Sequence, residues 1–171
     1  MKRILVPILL LSLTCIGYSQ NCDNLFADLL KGTLNGVKPT DDMASIKVKL
    51  PCFTGDSEES GEMNSSGGVF YVNHNFFCYT GRDYIEMRRK FTGELSVPIF
   101  GLSKDAAIKK LGLGKEVRTI VPDTDEESDG NKRTFLFFDT NYGCLVLLFK
   151  NDKIEIVSMY NKPAKDAVLC L

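Results

Sequence analysis

A histidine and a cysteine that lie close together are the first candidates for catalytic chemistry. His74, the single histidine, lies four residues before Cys78, and a histidine can activate a thiol as a nucleophile. However, the stretch Asn73-His74-Asn75 is typical of a hairpin turn, where polar residues are common without catalysis. No aspartate follows in a position that would orient the histidine. We therefore predict a protein that is not an enzyme, with catalysis by Cys78 or His74 as an alternative.

Acidic residues form the second candidate site. Between positions 123 and 129 carboxylates alternate with other residues and a glycine follows, which is the pattern of the first half of a calcium-binding loop. The position at which such a loop needs its bidentate glutamate falls on Leu136, inside a predicted strand. We therefore predict no metal and no cofactor, with a calcium-binding or small-ligand-binding envelope protein as an alternative. The candidate ligands of that alternative are Asp123, Asp125, Glu127 and Asp129.

The strand predicted over Tyr84–Phe91 carries residues suited to contact with a partner protein. Because side chains alternate between the two faces of a strand, Ile85 and Met87 are expected to face the core and the residues between them to face outward. Tyrosine and arginine are enriched in binding hot spots, and a compact basic cluster spans 88–90. An ordinary solvated face is the alternative. The predicted partner-binding residues are Tyr71, Tyr79, Tyr84, Glu86 and Arg88.

Composition and charge limit the class of protein. The chain has 171 residues, of which 44% are hydrophobic, as is usual for a folded protein. Its formal net charge of -1 does not suit a general nucleic-acid-binding protein, which carries a strongly basic surface. We therefore predict another protein as the partner, with no nucleic acid.

The first twenty residues are expected to direct export. Lys2 and Arg3 precede a nearly continuous apolar run that ends at residue 16, and small residues follow at the positions that a signal peptidase reads. The run is shorter than the roughly 20 residues that a membrane span needs. We predict a signal peptide over 1–20 that is cleaved after Ser19 or Gln20, a periplasmic or secreted location, and no transmembrane segment after its removal.

Export permits disulfide bonds. Of the six cysteines, Cys15 falls in the predicted signal peptide, and the odd number that remains leaves at least one thiol unpaired. We predict a Cys52–Cys78 bridge first and a Cys144–Cys170 bridge second. The alternative is that some of these cysteines are small buried apolar residues, because spacing alone does not determine connectivity.

The sequence pattern divides the mature chain into two similar halves. Each half opens with a glycine-containing apolar turn, Leu34–Val37 or Ile99–Leu102. A capping residue follows, Asp41 or Ser103, and then a short helical pattern. An acidic loop comes next, at 56–61 in the first half and at 124–130 in the second, and three strands complete each half. The predicted strands are Val69–Val72, Phe76–Thr80, Tyr84–Phe91, Thr134–Phe138, Cys144–Phe149 and Ile154–Tyr160.

These patterns predict an α+β protein of two tandem units, 21–96 and 97–171. Each unit is a short helix packed on a three-stranded antiparallel meander, because a helix with one apolar stripe and a sheet with one apolar face each need a cover. The two meanders can pair at an edge and share one longer sheet. One face of that sheet would then be open to a partner.

The second half resembles the SmpA/OmlA (BamE-like) family. The residues that carry the resemblance are Gly101–Ile108, the pair Leu111-Gly112, and Leu147–Ile154, which is similar to the final hairpin of that family. Two such units in tandem resemble the β-lactamase inhibitor protein (BLIP) architecture. The resemblance covers residues 97–160 more closely than 34–96, and the chain lacks both tryptophan and a lipobox of the usual form.

The resemblance implies a non-catalytic protein that binds another protein. Proteins of the first family support outer-membrane protein assembly, and inhibitors of the second architecture block an enzyme with a concave sheet face. The predicted function is therefore an exported protein-binding module of the envelope assembly, enzyme inhibitor or toxin-immunity type. No functional residue is carried over from either group, because the motifs are degenerate.

Overall fold

A computed structural model of the chain describes residues 24–50, 84–121 and 133–167, together with the strand backbones at 55–58, 68–72 and 76–79. These residues form a mixed α+β structure, so the α+β part of the fold prediction is confirmed. The helices are α1 (Met43–Lys49) and α2 (Lys104–Leu111). The strands are β1 (Phe26–Asp28), β2 (Thr33–Leu34), β3 (Gly55–Glu58), β4 (Gly68–Val72), β5 (Phe76–Tyr79), β6 (Tyr84–Arg88), β7 (Glu94–Leu95), β8 (Arg118–Ile120), β9 (Arg133–Thr140), β10 (Gly143–Lys150) and β11 (Lys153–Tyr160).

The strands form two sheets. The larger has the order β3-β4-β5-β6-β11-β10-β9-β8, and every neighbouring pair in it is antiparallel. Its middle is the pairing of β6 with β11, in which Tyr84 lies opposite Tyr160 and Arg88 opposite Ile156. The smaller sheet has the order β2-β1-β7, with β1 and β7 parallel.

Turn residues set the hairpin that joins β10 to β11. Asn151 and Asp152 both have positive φ, at 49° and 61°, which is the conformation that a two-residue primed turn requires. At the other end of β10, Gly143 has a φ of +142°, and a Cβ there would lie 2.2 Å from the carbonyl oxygen of Tyr160. Glycine at 143 therefore lets β10 and the end of β11 approach each other.

Helix α1 begins one residue later than the sequence pattern indicated. Asp42, not Asp41, is the N-cap, and its side chain accepts a hydrogen bond of 2.7 Å from the backbone N–H of Ser45. Asp41 instead accepts from the backbone N–H of Lys38 and pairs with Lys49. The neighbouring aspartate therefore stabilises the turn before the helix.

Helix α2 has the predicted boundaries. Ser103 takes the extended N-cap conformation without a capping hydrogen bond from its side chain. The helix ends at Gly112, whose φ of 65° is left-handed, as is common where glycine stops a helix.

Two short strands of the larger sheet, β3 and β8, were not predicted. Asp56, Ser57 and Glu58 lie in β3 and pair with β4, so the prediction of an acidic loop beginning at 56 is wrong for these residues. The strand β8 precedes the second predicted acidic loop and pairs with β9. That second loop lies outside the described residues.

The first face of the larger sheet carries the main core. Helix α1 contributes Ile46 and Leu50 to this core, and helix α2 contributes Ala107 and Leu111. As the alternation predicted, the core-facing residues of β6 are fully buried. The core members that come from the larger sheet are Ile85, Met87, Leu136, Phe138, Leu145, Leu147, Phe149, Ile154, Val157 and Met159.

The second face of the sheet carries a smaller cluster at one end. The strand members of this cluster are Tyr84, Phe135, Phe137, Cys144, Val146 and Tyr160. The segment 161–167, which follows β11, covers them with Ala164 and Ala167. Arg118 donates to the carbonyl oxygens of Lys165 and Ala167, at 3.3 and 2.8 Å. The prediction of a wholly open second face is therefore wrong at this end, which we call the covered end.

Candidate functional site

Tyr84 lies on the second face but is not exposed. Its residue surface is 6% accessible, and its ring stacks on that of Tyr160 at a centroid distance of 4.9 Å. The expectation that Tyr84 points outward to solvent is therefore wrong. The reason is that segment 161–167, which lies far from Tyr84 in sequence, packs over this part of the sheet.

Glu86 and Arg88 lie on the same face, and the exposure of the side chains rises along β6. Arg88 Nε donates to Glu86 Oε1 at 2.9 Å, and the Arg88 side chain is 51% exposed. Burial raises the pKa of the Glu86 carboxyl above its ordinary value, while the hydrogen bond and charge of Arg88 oppose the rise. Arg88 thus belongs to an open surface, with Glu86 at its boundary.

Tyr71 and Tyr79 are described only by their strand positions. Tyr71 pairs with Gly55 and with Phe77, and Tyr79 pairs with Val69 and with Tyr84. Their predicted part in partner binding stays a prediction, because their side chains lie outside the described part of the structure.

A cavity of about 450 Å³ opens at the end of the sheet opposite the covered end. It lies over the ends of β6, β9, β10 and β11. We call it the basic groove, and the described residues that line it are Arg88, Arg89, Lys90, Arg133, Leu148, Lys150, Glu155 and Ile156.

The strand register explains why residues distant in sequence meet in the basic groove. Ile156 of β11 lies between Arg88 of β6 and Leu148 of β10. At the end of the neighbouring pair, Lys150 lies opposite Arg133. The groove thus has an apolar floor with cations on either side.

The basic groove concentrates positive charge. Among the described residues, five that line the groove are cationic and one, Glu155, is acidic, although the whole chain has a net charge of -1. Glu155 accepts from Arg89 at 2.8 Å, and Glu86 binds Arg88. Both carboxylates orient a guanidinium, whose planar fork suits a carboxylate or phosphate ligand.

A second cavity, of about 410 Å³, lies beside the smaller sheet. The described residues that line it include one charged side chain, that of Glu94, and are Gly93, Glu94, Leu95, Pro98, Ile99 and Phe100. Its described lining provides few polar or charged groups that would select one ligand over another.

Cys144 is a free and fully buried thiol. Burial raises its pKa to about 12, and the nearby charge of Asp139 adds to the rise, so Cys144 is not a reactive thiolate at neutral pH. Because Cys144 is free, the predicted Cys144–Cys170 bridge is not formed in this structure. The predicted Cys52–Cys78 pair lies outside the described side chains and stays a prediction.

The alternative catalytic and calcium sites fall outside the described residues. This applies to His74, to the Cys78 side chain, and to Asp123, Asp125, Glu127 and Asp129. Among the described residues, no group of three or more histidine, cysteine or acidic side chains could hold a metal ion. In the same part of the chain, no helix is both long enough and apolar enough to cross a membrane.

Comparisons with protein-family models, with curated proteins and with solved structures give no match for this chain. The resemblance to the SmpA/OmlA family and to the BLIP architecture therefore stays a prediction.

Sequence reasoning found part of the basic groove and missed the rest. The run 88–90 was recognisable as a basic cluster beside predicted partner-binding residues. Arg133 and Lys150 gave no such signal, because each lies at the end of an apolar strand, far in sequence from the run 88–90. Only the pairing of β6 with β11 places them near Arg88.

Proposed function

We propose that this chain is an exported, non-catalytic protein-binding module whose partner docks at the basic groove. The observation that carries the proposal is the groove itself: among the described residues, an apolar floor of Leu148 and Ile156 is bordered by five cations, on the sheet face whose other end is covered. Binding hot spots combine apolar pockets with arginine in this way. Roles that fit are an envelope assembly factor, an enzyme inhibitor and an immunity protein.

The proposal includes two tandem units, one on each side of the β6–β11 pairing. The sheet order supports it, because β3-β4-β5-β6 and β8-β9-β10-β11 run outward from that pairing in mirrored sequence order. A helix precedes each set of four strands, and each helix follows a turn with a glycine at positive φ, Gly36 or Gly101. This arrangement extends the predicted three-stranded meanders to four strands each.

Site-specific photo-crosslinking in the envelope fraction of the native organism tests the proposed function. A benzophenone amino acid replaces Lys90, which is exposed and lines the groove. The matched control replaces Val48, which is 80% exposed on α1. We expect one adduct of discrete mass from position 90 and none from position 48. The same adduct from both positions, or from position 48 alone, would contradict docking at the groove.

A charge-reversal variant sharpens the test. Arg88→Glu with Lys150→Glu, placed in the chain that carries the crosslinker at position 90, is expected to remove the adduct. If the adduct persists at full yield, the partner binds near position 90 without using the basic groove.

A further inference from the structure

Segment 161–167 covers one end of the sheet with little apolar surface of its own. It lies on the second face without adding a strand to the sheet. Its members of the covered cluster are Ala164 and Ala167, both almost fully buried. Each brings one methyl group, whereas hydrophobic stabilisation scales with the apolar area that is removed from water. The segment therefore gains little hydrophobic free energy from its place on the sheet.

The sheet holds this segment through backbone groups of the segment. Arg118 donates to the carbonyl oxygens of Lys165 and Ala167, at 3.3 and 2.8 Å. Asp139 Oδ1 accepts from the N–H of Ala164 at 2.8 Å. Every residue has a backbone carbonyl, and every residue except proline has a backbone N–H. These contacts therefore select a chain path with small side chains rather than one particular sequence.

Closure of the segment leaves two buried polar atoms without a hydrogen-bond partner among the described residues. They are Arg118 Nε and Asn161 Oδ1. A buried polar atom of this kind has lost its contact with water without compensation, which costs free energy. Movement of the segment away from the sheet returns both atoms to water. The segment should therefore open at a lower free energy than the sheet, in which β10 pairs along its length with β9 and β11.

Opening of the segment uncovers an aromatic surface. Tyr84 stacks on Tyr160 at this end of the sheet, and the rings of Phe135 and Phe137 belong to the same cluster. Aromatic side chains are enriched at protein interfaces, but their exposure to water is unfavourable. The open state is therefore minor until another segment covers the same surface.

We infer that segment 161–167 is displaceable, and that the slot beneath it accepts a segment of a partner protein with the same chemistry. That chemistry is two small apolar side chains three residues apart, with carbonyl oxygens that accept from Arg118. The partner competes with the chain's own segment, so the contact is autoinhibitory. A second copy is a poorer occupant, because its segment 161–167 is held in its own slot at a high effective concentration. The inference goes beyond the proposed function, because the slot lies at the covered end and not at the basic groove.

Native-state hydrogen exchange, combined with alkylation of Cys144 in the mature protein, tests the opening. Ala164 reports on the segment, and Leu147 in the middle of β10 reports on the sheet. We expect the amide of Ala164 to be protected at least about a hundredfold less than that of Leu147, and its opening to depend less steeply on urea. The opening constants from Ala164 and Cys144 should agree. Alkylation of Cys144 only with unfolding of the whole sheet would overturn the inference.

A peptide added in trans tests the slot. In Ala164→Gln with Ala167→Gln the longer side chains do not fit into the cluster, so alkylation of Cys144 should become faster. Ala106→Gln is the matched control on α2, because Ala106 is exposed, and it should leave the rate unchanged. The probe is acetyl-Asn-Lys-Pro-Ala-Lys-Asp-Ala-amide, which has the sequence of 161–167. At about ten times its Kd the peptide should slow alkylation in the double variant about tenfold.

A second peptide, with glutamine at both alanine positions, is the control and should give no protection. Equal protection by the two peptides, or none by either at about 5 mM, would overturn the inference. If the double variant fails to fold, Ala164→Gly with Ala167→Gly replaces it, since glycine weakens the cover without adding bulk. Sedimentation of the unchanged protein tests the other occupant. A dimer that dissociates when the first peptide is added would assign the slot to a second copy and overturn the choice of a partner protein.

Discussion

The covered end and the basic groove lie on the same face of the same strands, yet one is core and the other is surface. Along β6, Tyr84 is buried under segment 161–167, whereas Arg88, four positions further on, is half exposed. Along β9, Phe137 is fully buried and Arg133 lines the groove. Strand alternation therefore determines on which face a side chain lies. Whether that face is exposed to solvent depends on packing by a segment elsewhere in the chain.

The largest expected effect comes from removing a large side chain at the covered end. Phe137 is fully buried, and Arg118 Cζ lies 4.0 Å from its ring centroid. Phe137→Ala should lower the free energy of unfolding by about 3–5 kcal/mol, as measured by urea unfolding. Leu148→Ala, at the groove floor, should cost clearly less because that side chain is only half-buried. Equal losses would contradict the distinction between the two ends.

Arg118 holds segment 161–167 over the covered end. Arg118→Ala removes its hydrogen bonds to the Lys165 and Ala167 carbonyls together with its contact with Phe137, which should cost about 2 kcal/mol. In this variant segment 161–167 should loosen, so alkylation of Cys144 should become faster. Peptide mass spectrometry measures the rate of alkylation. Arg133→Ala at the groove is the control and should leave Cys144 protected. If Cys144 in Arg118→Ala stays as protected from alkylation as in the unchanged protein, the packing of segment 161–167 does not depend on Arg118.

Removing one hydrogen bond tests how segment 161–167 is anchored to the sheet. Asp139 Oδ1 accepts from the backbone N–H of Ala164 at 2.8 Å, so Asp139→Ala should cost about 1 kcal/mol of unfolding free energy. Asp139→Asn keeps an acceptor oxygen and should recover most of that loss. If both variants lose the same amount, the contribution comes from charge rather than from the hydrogen bond.

The smallest expected effect concerns Glu86, at the boundary between the two ends. Its pKa is raised in the folded state, so the folded chain binds this proton more tightly than the unfolded chain does. The free energy of unfolding should therefore fall as pH rises from the ordinary glutamate value of 4.5 through the raised pKa, and should be flat above it. Glu86→Gln should flatten that slope, with a change below about 1 kcal/mol. A steeper slope in the variant would contradict the assignment to Glu86.

Much of the larger sheet was predictable from local pattern. The six strands of the two meanders were predicted close to their observed positions. Each is a run of mostly apolar residues, and turn residues such as Asn151 and Asp152 separate one run from the next. The strands β1, β2, β3, β7 and β8 were missed. They have two to four residues each, which is too short for a period of two to be recognisable.

The site was less predictable than the sheet. Glu86 and Arg88 were placed on the correct face, since that depends only on alternation along β6. The burial of Tyr84 was missed because it depends on contact with segment 161–167. The groove residues Arg133 and Lys150 were missed because their proximity to Arg88 depends on long-range strand pairing, which no local signal encodes.

The pairing of β6 with β11 has a consequence for the order of folding. Because β7, α2, β8, β9 and β10 separate β6 from β11 in sequence, β6 has no neighbour on that side until all of these elements have been made. An unpaired strand of this kind can pair with another chain and start aggregation. The long separation in sequence also slows closure of the sheet. An N-terminal fragment ending before β11 should therefore self-associate, and β11 acts as the chain's own protection against it.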